Sequence, residues 1–171
     1  MQYLFWDDHF DVGYDLFNEQ HKEIFRLQNR VVNLLCGDAG PQELSPVLNG
    51  LIRYCESHFR EEEALMEQYG YADLADHREQ HERLVMHIFA LAEGLNTENF
   101  NRERLLDFLN TWITGHIMKT DKRYRRFFLE KPELQEQKVK KKARWETGTA
   151  MGDDPAKAAE IQEHNENKSD S

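Results

Sequence analysis

The chain has 171 residues, a formal net charge of -10 and 39% hydrophobic residues. That length fits one ordinary domain with a real core plus some excess. The acidic balance disfavours non-specific nucleic-acid binding, and no apolar run is long enough to span a bilayer. The two cysteines, Cys36 and Cys55, form no disulfide framework; both fall within helical apolar patterns and read as small buried hydrophobes. The N-terminal stretch has neither a basic n-region nor a long apolar h-region, so a cytoplasmic location is expected.

Residues 1–17 form an aromatic arm without periodicity. A first helix is predicted from about Asn18, a plausible N-cap, to Cys36; Ile24, Leu27, Val31 and Leu34 or Leu35 recur at three- and four-residue spacing. Gly37 to Pro41 ends it. A second helix starts between Pro41 and Pro46 and stops at Gly70. Its inner stripe is Leu48, Leu51, Ile52, Cys55, Phe59, Leu65 and Met66. A third spans roughly Asp73 to Glu93. A fourth runs from near Asn101 to about Phe128, with Leu105, Leu109, Trp112 and His116 on one face.

Four amphipathic helices joined by short loops imply antiparallel neighbours. The fold class expected is therefore all-α, an up-down-up-down antiparallel four-helix bundle with an N-terminal arm and a charged C-terminal extension. The domain boundary is placed near residue 131. Residues 132–171 carry a basic cluster (Lys138, Lys140, Lys141, Lys142, Arg144) and, after it, almost no large apolar side chains, so this tail is expected to be largely disordered.

Seven residues continue the apolar stripes with chemistry instead of hydrocarbon: His21, His58, Glu62, His77, His81, His116 and Asp121. His58 and Glu62 are four residues apart, as are His77 and His81, and each pair shares a helix face. His116 and Asp121 are five apart, about 140° around an α-helix; they flank a site spanning two ions and do not chelate one. Burying five imidazoles and two carboxylates without a partner is costly. A metal removes that cost by taking neutral imidazoles and compensating carboxylate charge. Imidazole suits zinc, copper, iron and nickel, and bridging carboxylates favour dinuclear iron or manganese. No thiolate pattern points to structural zinc. No Glu-x-x-His of ferritin-like bundles and no His-Glu-x-x-His protease motif is present. His9, His87 and His164 lie outside the pattern.

The segments Trp6-Asp7 with Val12-Gly13, Glu19-Gln20-His21-Lys22, His58-Phe59-Arg60-Glu61-Glu62-Glu63-Ala64-Leu65-Met66, His77-Arg78-Glu79-Gln80-His81 and Trp112-Ile113-Thr114-Gly115-His116-Ile117 leading to Asp121 give the chain its family likeness. Over residues ~4–130 it resembles the bacterial hemerythrins, relatives of the myohemerythrin that is a standard four-helix example. The resemblance implies two non-haem iron ions, bridged by an oxo or hydroxo group and by carboxylates. His77, His81 and His116 would hold one; His21 and His58 would hold the other, with one position left open; Glu62 and Asp121 would bridge. It implies an apolar ligand pocket of Ile24, Phe59, Trp112, Ile113 and Ile117. It departs from the family's common pattern at Asn18 (often Asp), Ala72 (often Pro) and Ile113 (often Leu), and in the tail.

The function implied is reversible dioxygen binding, for oxygen storage, transport or delivery, rather than an enzyme activity. The alternatives are an oxygen or redox sensor and a di-iron oxidase or peroxidase, with iron storage behind them. Dioxygen is the partner; a monomer is expected, with the tail as the one segment open to a protein partner.

Overall fold

A computed structural model describes residues 3–37, 39–97, 100–131 and 133–134. The unit Met1–Lys131 holds α1 (Asp15–Cys36), α2 (Pro41–Tyr69), α3 (Leu74–Glu93), α4 (Arg102–His116) and α5 (Lys122–Leu129). A π-helical turn, Ile117–Asp121, joins α4 to α5, so the two run on as one interrupted fourth helix. Among the described residues there is no strand. α1 packs on α2 and on α4, and α2 also packs on α3, as expected for the antiparallel bundle. The predicted tail lies outside the described residues apart from Glu133 and Leu134.

The helices end where local chemistry stops them. Of the two prolines, Pro41 opens α2, and Pro46 falls within it at the expense of one backbone N–H. Gly70, at φ +71°, closes α2 in the left-handed conformation, with Tyr71 N–H reaching Met66 O at 2.9 Å. Asn101 caps α4 by accepting from Arg104 N–H at 2.8 Å. Carbonyls at the end of α1 and in the loop after it are taken by a side chain from another helix. Arg102 donates to Leu35 O at 2.7 Å, Gly37 O at 2.6 Å and Ala39 O at 2.9 Å.

Three expectations for α1 need correction. The helix begins at Asp15, three residues before the predicted cap. Asn18 is buried instead and holds the arm: its Oδ1 accepts from Val12 N–H at 2.9 Å and its Nδ2 donates to Asp11 at 2.6 Å. Helix propensity and stripe alone missed this because the bond that fixes the start comes from the returning arm. Arg125 and Lys122 on α5 also hold Asp11, through its carboxylate at 2.9 Å and its carbonyl at 2.8 Å. Gly13 sits at φ +80°, and a Cβ there would meet Arg125 Cγ at 3.0 Å. The inner face of α1 also differs from the predicted stripe. Leu27 is only half-buried, whereas Gln28 is fully buried. Of the cysteines, Cys55 is buried but Cys36 is exposed, because the apolar face has rotated outward at the last residue of α1.

The core is built from leucine, isoleucine and valine layers, among them Val31, Val32, Leu44, Leu48, Leu51, Leu105 and Leu109, none more than 1% exposed. Each large side chain so buried contributes about 1.5–3 kcal/mol. Toward the arm end the filling becomes aromatic: Phe17 and Phe128 lie 5.9 Å apart, and Tyr124 and Phe128 4.9 Å apart. The polar cluster lies beside this aromatic plug.

Candidate metal centre

Antiparallel packing explains why seven residues scattered over a hundred positions meet. His21 is near the start of α1, His58 and Glu62 near the end of α2, His77 and His81 near the start of α3, His116 at the end of α4 and Asp121 at the end of the π turn that follows. Alternating direction brings all four places to one level of the bundle. All seven side chains point inward, and none is more than 8% exposed.

The fourth helix reaches this level through the π turn. On a regular α-helix His116 and Asp121 would diverge, and the expectation that they only flank the site rested on that geometry. The π turn widens the helix so that positions five apart come into register. His116 Nε2 lies 3.0 Å from Asp121 Oδ1, so the two are neighbours on one face.

The donor atoms form two groups that share a member. Glu62, His77, His81, His116 and Asp121 each offer an atom within 4.8 Å of all the others, and so do His21, His58 and Glu62. Glu62 Oε2 stands 3.0 Å from His77 Nε2 and 3.2 Å from His81 Nε2. Asp121 divides its oxygens: Oδ1 faces His116, and Oδ2 lies 3.4 Å from His21 Nε2.

Hydrogen bonds outside the cluster set how two imidazoles are turned. His58 Nδ1 lies 2.8 Å from Gln20 Oε1, and His81 Nδ1 lies 2.7 Å from Glu63 Oε1. Both acceptors require Nδ1 to carry the proton, which leaves each Nε2 a lone pair aimed inward. Those lone pairs meet other ring nitrogens: His58 Nε2 is 3.0 Å from His21 Nε2, and His81 Nε2 is 2.9 Å from His116 Nε2. Tyr124, fully buried, donates a short hydrogen bond to Glu62 Oε1. Phe59 stacks on His81 with ring centres 3.8 Å apart.

The electrostatics point the same way. Burial pushes the His58 imidazolium down to about 3, against the opposing pull of Glu62. Burial would raise the Glu62 and Asp121 carboxyls. It is overcome at Glu62 by a hydrogen bond from His77 and by the charge of the surrounding histidines, and at Asp121 by His116, so both are held well below the usual carboxylate range. Burial also lifts the Tyr124 phenol well above its ordinary value, reinforced by Asp121 and Glu62. The cluster thus holds two ionised carboxylates in a site closed to water. Neither Asp121 oxygen, nor His21 Nδ1, has a well-formed hydrogen bond. Ring nitrogens 2.9–3.0 Å apart and two buried ionised carboxylates, one of them without a well-formed hydrogen bond, are what a cation-binding set requires, so the residues present fit a metal.

A profile of the hemerythrin HHE cation binding domain matches residues 12–127. The chain belongs to the hemerythrin family. It is 27% identical over 124 residues to a bacteriohemerythrin of Clostridium acetobutylicum, covering 70% of this chain and 96% of that one. It is 32% identical to a bacteriohemerythrin of Methylococcus capsulatus, over 63% of this chain and 82% of the other. A solved structure of wild-type hemerythrin superposes with a TM-score of 0.67 at 29% identity, covering 73% of this chain and 97% of that one. The family binds non-haem iron, and the four-helix bundle is its fold.

The five residues expected to line the hemerythrin ligand pocket lie in the core. Ile24, Phe59, Trp112, Ile113 and Ile117 are all buried, at no more than 6% exposure. Trp112 carries the one polar atom among these five side chains, and its Nε1–H is engaged by Gln28 Oε1 at 3.1 Å; Gln28 Nε2 in turn donates to Leu109 O at 2.6 Å. A surface groove of about 320 Å³ has Phe59 and His81 in its lining. His9 and His87 are exposed, and His164 lies outside the described residues.

Sequence reasoning missed Gln20, Gln28, Glu63 and Tyr124. Gln20 and Glu63 are each adjacent in sequence to a cluster residue, His21 and Glu62, and that adjacency is the only signal. Tyr124 follows Asp121 by three, one turn on along the same face.

Proposed function

We propose that the domain binds dioxygen reversibly at two iron ions, for oxygen storage, transport or delivery. His77, His81 and His116 would hold one iron, His21 and His58 the other, and Glu62 and Asp121 would bridge them. The observation that carries this reading is the sharing of carboxylates: Glu62 belongs to both donor groups, and Asp121 turns one oxygen to each. Five imidazoles serve two groups unequally, three against two, which leaves one ion a free position.

When bound, the iron pair supplies the electrons that dioxygen binding draws on. The chain's own residues do the rest. Ile24, Phe59, Ile113 and Ile117 keep water out, and Gln28 occupies the Trp112 N–H, so no donor among these side chains is left to protonate what binds. Gln20 and Glu63 hold the Nδ1 protons of His58 and His81, keeping both rings turned inward. No acid or base is aimed at the pocket among these residues, which favours binding over turnover. The reading further proposes a cytoplasmic monomer; among the described residues no helix is long and apolar enough to cross a membrane.

The test is iron content together with visible spectra of the reduced protein before oxygen, in oxygen and after argon flushing. Two irons per chain and a coloured adduct that forms and disappears are expected. Irons that pass directly to a stable ferric form would overturn the carrier reading in favour of a sensor or an oxidase.

A further inference from the structure

The two halves of the cluster are supported by different chemistry. On one half, His81 Nδ1 meets the carboxylate of Glu63 at 2.7 Å, and Glu63 is also within 3.4 Å of Arg78 Nε. Phe59 lies flat against the same ring, its plane 13° from parallel. On the other half, His58 Nδ1 meets a neutral amide, Gln20 Oε1, which is itself tied through Nε2 to Glu61 at 2.7 Å. His21 Nδ1 has no partner at all. An anionic acceptor draws the Nδ1 proton toward itself and makes Nε2 a stronger donor to a metal; an amide does so far less.

We propose that Glu63 is a positioning residue that makes the two metal positions electronically unequal, turning His81 into the strongest imidazole donor of the cluster. The His77, His81 and His116 position then holds its ion more tightly and favours the higher oxidation state, while the His21 and His58 position is the weaker and easier to reduce. The inequality is built into α2, where Glu62 enters the cluster and the next residue, Glu63, reaches round to His81. This rests on the reading that the seven residues hold two metal ions.

The experiment uses the full chain, with Co²⁺ as the probe under argon, so that oxygen chemistry plays no part. Two binding steps are followed by visible absorption, in the wild type, Glu63→Gln, Glu63→Asp and Gln20→Glu. The potentials of the iron-loaded forms are recorded alongside, and metal-free unfolding curves check the fold. Glu63→Gln is expected to weaken one Co²⁺ step by about 10–100-fold, the range for outer-shell partners, leave the other unchanged, and raise one of the two iron potentials. Glu63→Asp should recover most of the loss. Gln20→Glu should strengthen the weaker step and bring the two potentials together.

Equal losses in both steps, no loss in Glu63→Gln, or no recovery in Glu63→Asp would overturn the proposal. If Glu63→Gln does not fold, Gln20→Glu decides alone, and an unchanged spacing of the two steps overturns it. A wild-type chain that takes up a single ion would remove the two-metal reading itself; two ions with an indifferent Glu63 would remove only this inference.

Discussion

Asp121 turns its two carboxylate oxygens in opposite directions, Oδ1 to His116 at 3.0 Å and Oδ2 to His21 at 3.4 Å. In the metal-free protein this is an ionised group with no well-formed hydrogen bond, in a site without solvent exposure. His116 on one side and His21 on the other hold it ionised, well below the usual carboxylate range. Asp121→Asn is therefore expected to lower metal-free stability at neutral pH by about 1–3 kcal/mol while abolishing or severely weakening metal binding. Denaturant curves with and without added Fe²⁺ or Zn²⁺ would show it; a variant that keeps the wild-type stabilisation by added metal would contradict it.

Tyr124→Phe tests the other buried carboxylate. It removes only a hydroxyl, but that hydroxyl is the donor to Glu62 Oε1 in a fully buried place. Leaving a buried acceptor unmet costs about 1–3 kcal/mol. The unfolding midpoint should fall accordingly with helix content unchanged, as read by urea titration and circular dichroism.

Acid should weaken the metal-free bundle in a defined window. His58 has its folded value lowered to about 3 from an ordinary 6.5 by burial, so below pH 6.5 the unfolded chain takes up a proton that the folded chain refuses. Stability then falls by about 1.4 kcal/mol per pH unit at full slope. Glu62 and Asp121, also lowered, add to the loss once pH drops through their unfolded values of 4.5 and 3.8. His81 has the opposite sign. Burial would lower it, but Glu62 and Glu63 raise it above 6.5, so its contribution is complete below 6.5 and fades as pH rises through its folded value. Metal-free stability should accordingly peak near pH 6.5. A profile still climbing from pH 6.5 down to 4.5 would contradict the assignment.

Arg102 should matter more than its place at the bundle end implies. Its guanidinium satisfies three carbonyls at the end of α1 and in the loop after it, which have no intrahelical partner. Arg102→Ala should cost about 1.5–3 kcal/mol, the range for hydrogen bonds to charged groups. Arg102→Lys should recover only part, because a point charge cannot fork to three acceptors. Metal uptake should be unaffected, since the cluster lies elsewhere along the helices.

Much of this architecture is legible in the amino-acid order. Apolar residues at three- and four-residue spacing announce the helices, and histidines lying on those same stripes announce a polar interior. What is not legible depends on partners far away in sequence. Asn18 looks like a helix cap until the arm returns to bond it. Gln28 looks out of place on an apolar face until Leu109 O and Trp112 Nε1 meet its amide. Glu63 looks like one more acid in a run of three until α3 brings His81 alongside. Leu27 fits the α1 stripe by spacing, yet the small rotation that buries Gln28 turns it partly outward.

The π turn between α4 and α5 carries a lesson for anyone who would rebuild this bundle from ideal parts. It amounts to one residue more than a regular helix needs between His116 and Asp121. A scaffold drawn with uniform α-helices and threaded with this sequence would swing Asp121 and everything after it out of phase, sending Tyr124 and Phe128 toward solvent as well. The faithful idealised copy is one residue shorter, with histidine and aspartate four apart. The extra residue is thus a spacer, and its removal, not its retention, is what an engineer working in straight helices would have to plan for.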